Sequence, residues 1–306
     1  MSTLRGHVAS YLNLRRALGF KLEREGQLLS QLVSYLEAAG AAALTSELAI
    51  VWAREPANAQ PNHWAKRLGV VRKFAAYLHT IDPAVEVPPP GVFPVRRHRP
   101  TPYLWSQGDV CRLLEGARAL RPPLRAANHE TLFGLLAASG MRIGEAVALQ
   151  RNDVDLGAGV ITIRQAKFDR SRLVPLHPST IEALRRYAAE RDRLCPRPRS
   201  DTFFVSSSGT ALNRSGVGKT LRQITTAMGT RTATVRPRVH DLRHSFAVQT
   251  LIGWQRSGVG VDAHIGVLST YLGHISPAGT YWYLSASPEL MGLAAERLEA
   301  RFGGTR

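Results

Sequence analysis

The chain has 306 residues, room for two domains that each bury a core, and its 44% hydrophobic content excludes a disordered protein. Forty Lys and Arg against 23 Asp and Glu give a formal net charge of +17. A polyanion is then the default partner, and nucleic acid fits because each neutralised phosphate releases a counterion.

Residues 1 to 88 read as an all-α domain. Val8, Tyr11, Leu12, Leu14 and Leu18 recur at helical spacing, as do Leu28, Leu29, Leu32, Val33 and Leu36. Gly40 reads as a stop, and Thr45-Ser46-Glu47 as the cap of the next helix. A further helix is expected over residues 63–79, with Lys66, Arg67, Arg72 and Lys73 interleaved among Trp64, Leu68, Val71 and Phe74. Such a basic face is either solvated surface or a phosphate contact, and these four are the candidate DNA contacts here. Residues 89–101 are proline-rich and basic, which predicts a stiff linker whose Arg96 and Arg97 could also follow a phosphate backbone.

A larger unit, 102–306, follows. Helices are expected over 106–120, capped by Ser106, and over 131–149, broken near Ser139-Gly140. Two β-like runs, 160–164 and 172–176, flank a polar segment and predict a hairpin. Residues 179–193 read as helix, and the rest as mostly helical through 300. The fold class is therefore mainly α with a small antiparallel sheet, an α+β unit after an all-α one.

Four segments carry candidate chemistry: Arg142 with Glu145; Lys167 at the hairpin tip; His240 with Arg243; and Leu272-Gly273-His274 followed nine residues later by Tyr283. Singly, each has an ordinary explanation. Arg142 and Glu145 make a surface ion pair worth roughly 0.2–0.5 kcal/mol, and Tyr283 in Tyr281-Trp282-Tyr283 reads as core. Together, in this order, they resemble the tyrosine recombinase (phage integrase) family, across residues 102 to 290. The N-terminal half resembles that family's core-binding domain only in general character.

The resemblance implies that Tyr283 attacks a DNA phosphodiester, giving a covalent 3′-phosphotyrosine and a free 5′-hydroxyl. Arg142 and Arg243 match the two clamp arginines, whose forks suit a phosphorane better than lysine does. Lys167 matches the general acid for the leaving oxygen. His240 and His274 match groups that assist proton transfer and bond the phosphate, with Glu145 in support. No cofactor and no metal are implied, because the phosphotyrosine stores the energy for resealing. The family often has Thr-Thr before the nucleophile, where this chain has Ala278-Gly279-Thr280, and Tyr281 is a rival nucleophile.

The implied partners are double-stranded DNA, other copies of the chain in a tetramer on DNA, and accessory recombinases of the same mobile element. A C-shaped two-domain clamp and strand exchange through a four-way junction follow from the same resemblance, with DNA integration or transposition as the setting. A last helix over 289–301, with Leu290, Met291, Leu293, Ala294 and Leu298 on its apolar face, is expected to pack on its own domain or dock on a neighbouring protomer. The competing readings are a type IB topoisomerase, sharing the chemistry as a monomer, and a DNA-binding regulator without catalysis.

Other signals point elsewhere and fail. Residues 215–220 end like a phosphate-binding loop, but Asn213 stands where glycine is needed, so a loop entering a helix is expected. His240 and His244 have zinc-pair spacing, but Arg243 between them repels a cation. Two cysteines, Cys111 and Cys195, cannot build a disulfide framework, which fits a cytoplasmic protein. No apolar run approaches the ~20 residues that span a bilayer, so no membrane partner is expected.

Overall fold

The computed structural model describes residues 4–95, 101–164, 171–274, 276, 278–285, 289–292, 295, 296 and 299. The chain divides into two compact units, Met1–Arg99 and Pro100–Arg306.

The first unit holds four helices: α1 (Leu4–Ala17), α2 (Glu23–Ala38), α3 (Ser46–Arg54) and α4 (Pro61–His79). Thr45 caps α3, its hydroxyl accepting from the Leu48 amide. Tyr11, Leu29, Leu32, Trp52, Leu68, Val71 and Phe74 form the core. The basic face of α4 is less open than its spacing predicts. Arg67 is buried, its guanidinium lies 3.8 Å from the Trp52 ring centroid, and Nη2 donates to the Trp52 carbonyl at 2.9 Å. Arg67 is therefore corrected from a phosphate contact to a core residue, because stacking on Trp52 and capping its carbonyl draw the side chain inward. Arg72 donates to the carbonyls of Pro88 and Pro89, both at 2.9 Å. Lys66 and Lys73 are exposed. Part of the expected linker also belongs to this core: Phe93 is buried, its ring 5.8 Å from that of Trp64. Arg96 and Arg97 lie outside the described residues.

Arg67→Ala is expected to lower the unfolding free energy by about 2 kcal/mol, through a lost buried hydrogen bond and a lost ring contact. Lys66→Ala and Lys73→Ala should stay within about 0.5 kcal/mol of the parent. Urea unfolding midpoints check both.

The second unit contains α5 (Gln107–Arg118), α6 (Pro123–Ser139), α7 (Ile143–Ala148), α8 (Pro178–Leu194), α9 (Arg214–Ala227), α10 (Val239–Arg256), α11 (Val261–Leu272) and α12 (Ala278–Tyr281). Ser106 and Asp109 form a capping box on α5. The helix expected from 131 starts eight residues earlier, because Pro123 sits in its first turn, where the missing amide costs nothing. The 215–220 stretch lies within α9 rather than in a loop, with Asn213 as its cap. Segments 195–213 and 228–238 are not helical.

The sheet has three strands in the order β1 (Val154–Asp155), β2 (Val160–Ile163), β3 (Arg172–Pro175), antiparallel throughout. Ile161 faces Val174 and Ile163 faces Arg172. Leu113, Leu132, Phe133, Leu136, Ile161 and Phe204 are among the core side chains. A second cluster gathers Ala247, Leu251, Leu268, Leu272, Tyr283 and Leu290. In the terminal segment Leu290 packs inward and Met291 faces solvent, while Leu293, Ala294 and Leu298 lie outside the described residues. No helix among the described residues is long and apolar enough to cross a membrane.

Candidate active site

Three chain reversals set the site. The first is the end of α6, where Gly140 takes a left-handed φ of 60°. A Cβ there would stand 2.4 Å from the Phe246 ring, so the turn needs glycine both for its φ and for space. Arg142 follows, just ahead of α7. Its backbone N–H donates to Glu145 Oε2 at 2.9 Å, and its Nη1 donates to Glu145 Oε1 at 2.7 Å.

The second is the start of α10, where the amide of Arg238 donates to Asp241 at 2.7 Å. This helix carries His240 in its first turn and Arg243 one turn further. Arg243 is buried, 2% exposed, yet pairs with no carboxylate among the described residues. Its Nη1 donates to the Gly140 carbonyl at 2.8 Å and its Nη2 to the Leu272 carbonyl at 2.7 Å. It thereby ties the α6 turn to the α11 turn.

The third is the end of α11, where Gly273 has φ 67° and His274 follows. Arg142 Nη2 donates to the Gly273 carbonyl at 2.6 Å. Tyr283 stands in a 3₁₀ turn, Trp282–Ser285, directly after α12. Its ring lies 6.0 Å from that of His274 at a 24° tilt, and 5.4 Å from that of His244. It is 2% exposed, whereas Tyr281 is 50% exposed. Of the expected residues, Arg142, Glu145, His240, Arg243, His274 and Tyr283 thus gather in one place. Lys167 lies outside the described residues, although both strands of its hairpin are present.

Sequence reasoning overlooked Arg172 and Thr280. Arg172, at the start of β3, makes a two-pronged pair with Glu145 (3.1 and 2.7 Å) and donates from Nε to the Tyr271 carbonyl at 2.9 Å. A Cβ on Gly273 would fall 2.5 Å from Arg172 Nη1, so glycine there lets the guanidinium approach the turn. Both Glu145 oxygens are held by Arg172 and Arg142, which keeps this carboxyl below the usual range despite its burial. Thr280 is wholly buried, its hydroxyl 2.7 Å from His274 Nδ1.

Three guanidinium groups, Arg142, Arg172 and Arg243, stand around the carboxylate of Glu145. Burial, and then the charges of Arg243 and Arg142, push His274 down to about 4. Burial and Arg243 lower His240 as well. Both imidazoles are therefore neutral near pH 7, in a field that favours an anion. Such a pocket can hold a phosphoryl oxygen, offer neutral nitrogens as proton partners and present a phenol to the phosphorus.

These histidines also make stability depend on pH. An unfolded histidine titrates near 6.5, while His274 binds a proton only near 4. Between those values the unfolded chain binds the extra proton, so stability declines as pH falls from about 6.5 towards 4. Melting temperatures at pH 7 and 5 should show this decline, and His274→Gln should flatten it.

The sequence pattern of the phage integrase family matches residues 108–289. A putative integrase/recombinase of Sinorhizobium fredii, y4rB, is 44% identical over 99% of this chain and 99% of its own length. The tyrosine recombinase XerD of Mycobacterium tuberculosis is 34% identical over 70% of this chain and 65% of its own. Among solved structures, the Tn1549 transposon integrase in complex with transposon right end DNA superposes with a TM-score of 0.67 at 14% identity, covering 99% of this chain and all of that one. The XerH site-specific recombinase in a post-cleavage complex with palindromic difH substrate gives 0.64 at 20% identity, over 90% and 79%. These two likenesses establish the shared fold.

Proposed function

This chain belongs to the phage integrase family of tyrosine recombinases, and on that premise we propose that it cuts and rejoins duplex DNA through Tyr283. The observation that carries the reading is the buried Tyr283 ring stacked on His274, whose turn Arg142 and the buried Arg243 both hold through backbone carbonyls. A phosphate seated on the two guanidinium forks lies within the same group of side chains as the phenol.

The Tyr283 oxygen attacks phosphorus, the bond from phosphorus to the 5′-oxygen breaks, and the 3′-phosphate stays on the tyrosine. Arg142 and Arg243 stabilise the added negative charge of the phosphorane. His240, neutral beside them, is the acceptor for the phenolic proton, and His274 bonds a non-bridging oxygen. Lys167, between β2 and β3 in the sequence, gives the leaving 5′-oxygen its proton. Attack by a 5′-hydroxyl on the phosphotyrosine reverses the step and reseals the strand, which requires no external energy source. Arg172 and Glu145 act by holding Arg142 and the α11 turn in place.

The substrate is double-stranded DNA, gripped by the N-terminal helical unit (residues 1–88) and the catalytic unit (102–306), with Lys66 and Lys73 on phosphates. Exchange between two sites calls for four protomers on DNA and a four-way junction. An integrase of a mobile element is the favoured setting, in keeping with the integrase/recombinase name of the y4rB relative. Such a substrate lies in the cytoplasm of a bacterium, and recombinases of the same element are candidate partners.

A nicked suicide duplex bearing the element's own ends tests the reading. A protein–DNA adduct that survives denaturation is expected, together with exchange between two sites. Relaxation of supercoils without exchange would instead favour a type IB topoisomerase, and binding without an adduct a regulator.

A further inference from the structure

We propose that Thr280 is a positioning residue for strand cleavage: its hydroxyl donates to Nδ1 of His274 and so fixes the tautomer that offers an Nε2–H to the phosphate. The inference rests on the recombinase reading and deepens it.

The contact is short, 2.7 Å from Oγ1 to Nδ1, and Thr280 is 0% exposed, so water does not compete for the hydroxyl. Helix α12 also passes close to the ring: a Cβ on Gly279 would stand 3.5 Å from both Cγ and Nδ1 of His274. Tyr283 stacks on a ring face. The imidazole is thus held along one edge and one face.

A neutral imidazole carries a single N–H, and the partner of one nitrogen decides what the other offers. If Nδ1–H donated to Thr280, Nε2 would turn a lone pair towards an anionic phosphate. If Thr280 donates, Nε2 becomes a donor, which is what an anion held by Arg142 and Arg243 requires. A threonine hydroxyl can rotate to either role, so the chemistry of the bound anion selects donation. The arginine field also disfavours the alternative of a doubly protonated ring. Thr280 lies three residues before Tyr283 on one continuous helical run. The same bond therefore sets the position of the nucleophile's segment relative to His274.

Thr280→Val keeps the shape and removes the hydroxyl, whereas Thr280→Ser keeps the hydroxyl. Histidine-15N-labelled protein saturated with inorganic phosphate, without DNA, reads the tautomer directly. The parent and Thr280→Ser should show the Nε2–H form at His274, and Thr280→Val should lose it or mix both forms. In single-turnover cleavage of a suicide duplex at saturating DNA, Thr280→Val should be slower by about 10- to 100-fold, with unchanged DNA affinity and a melting temperature lowered only by the loss of one buried hydrogen bond. Thr280→Ser should cleave within about twofold of the parent, since it keeps the catalytically relevant bond. An Nδ1–H form in the parent overturns the proposal, as does parental cleavage by Thr280→Val. A parent that gives the expected spectrum but forms no adduct would instead overturn the recombinase reading, leaving Thr280 as the residue that sets the His274 tautomer.

Discussion

Tyr283→Phe is expected to abolish the covalent protein–DNA adduct while leaving DNA binding and folding close to those of the parent. Phenylalanine fills the same volume among Ala247, Leu251, Leu268 and Leu272, so the cluster that buries the ring is retained. What disappears is the phenolic oxygen, the atom proposed to bond phosphorus. Losing a covalent nucleophile removes a step rather than weakening it, so the rate should fall by about 10⁴-fold or more. Tyr281→Phe is the matched control. Tyr281 is half-exposed, and none of its described contacts joins it to Arg142, Arg243 or His274. Its adduct yield should equal the parent's. A gel-shift titration beside the adduct assay separates binding from chemistry.

Arg243→Ala is expected to fail in two ways at once. The side chain holds the Gly140 and Leu272 carbonyls. Its removal leaves both without that donor in a buried setting, at about 1–3 kcal/mol for each carbonyl left unpaired. It also removes the fork proposed to meet the phosphorane, for which a loss of about 10²–10³-fold in cleavage is the precedent for one oxyanion donor. Arg243→Lys separates the two effects. A single ammonium keeps the charge but cannot bridge both carbonyls and the phosphate as a planar fork does. Its unfolding midpoint should lie between those of the parent and Arg243→Ala. Its cleavage at saturating DNA should still fall by at least about 10-fold. Parental cleavage by Arg243→Lys would mean that charge alone suffices and that the fork has no role.

The residues that read clearly in the sequence sit at chain reversals with strong local signals. Gly140 ahead of Arg142 and Gly273 ahead of His274 mark helix ends by composition, and the nine-residue step to Tyr283 is a distance along the chain. The Ser106 cap and the hairpin strands were legible for the same reason. Arg172 was not. In Arg172-Leu173-Val174-Pro175 two apolar residues are adjacent, so alternation alone does not say which of them faces inward. The register decides it: Val174 lies opposite the buried Ile161, which turns Arg172 inward opposite Ile163 and leaves Leu173 64% exposed. Arg67 misled in the opposite sense. A long side chain on a basic helix face reads as solvated, but Trp52, fifteen residues earlier, supplies a ring and a carbonyl that the helical pattern does not reveal. Thr280 escaped because its meaning lies in one tertiary contact, with His274 across the α11 turn. The start of α6 escaped because its first turns carry Pro123, Arg125, Asn128 and His129, which blur the apolar period.

These cases share a physical cause. Pattern and spacing locate groups that act through their own chain neighbourhood. Groups that position others depend on which strand face or helix edge turns inward, and packing between distant segments settles that. The site contains both kinds. Arg142, Lys167, His240, Arg243, His274 and Tyr283 are proposed to carry the chemistry, and Arg172, Glu145 and Thr280 to hold them.

The central claim is that Tyr283 itself becomes joined to DNA. Trapping the adduct on a suicide duplex, digesting both protein and DNA, and sequencing the modified peptide by tandem mass spectrometry tests it directly. A nucleotide-bearing phosphate on Tyr283 alone is expected. A modified Tyr281 or Tyr271, or an adduct on any serine or histidine, would contradict it.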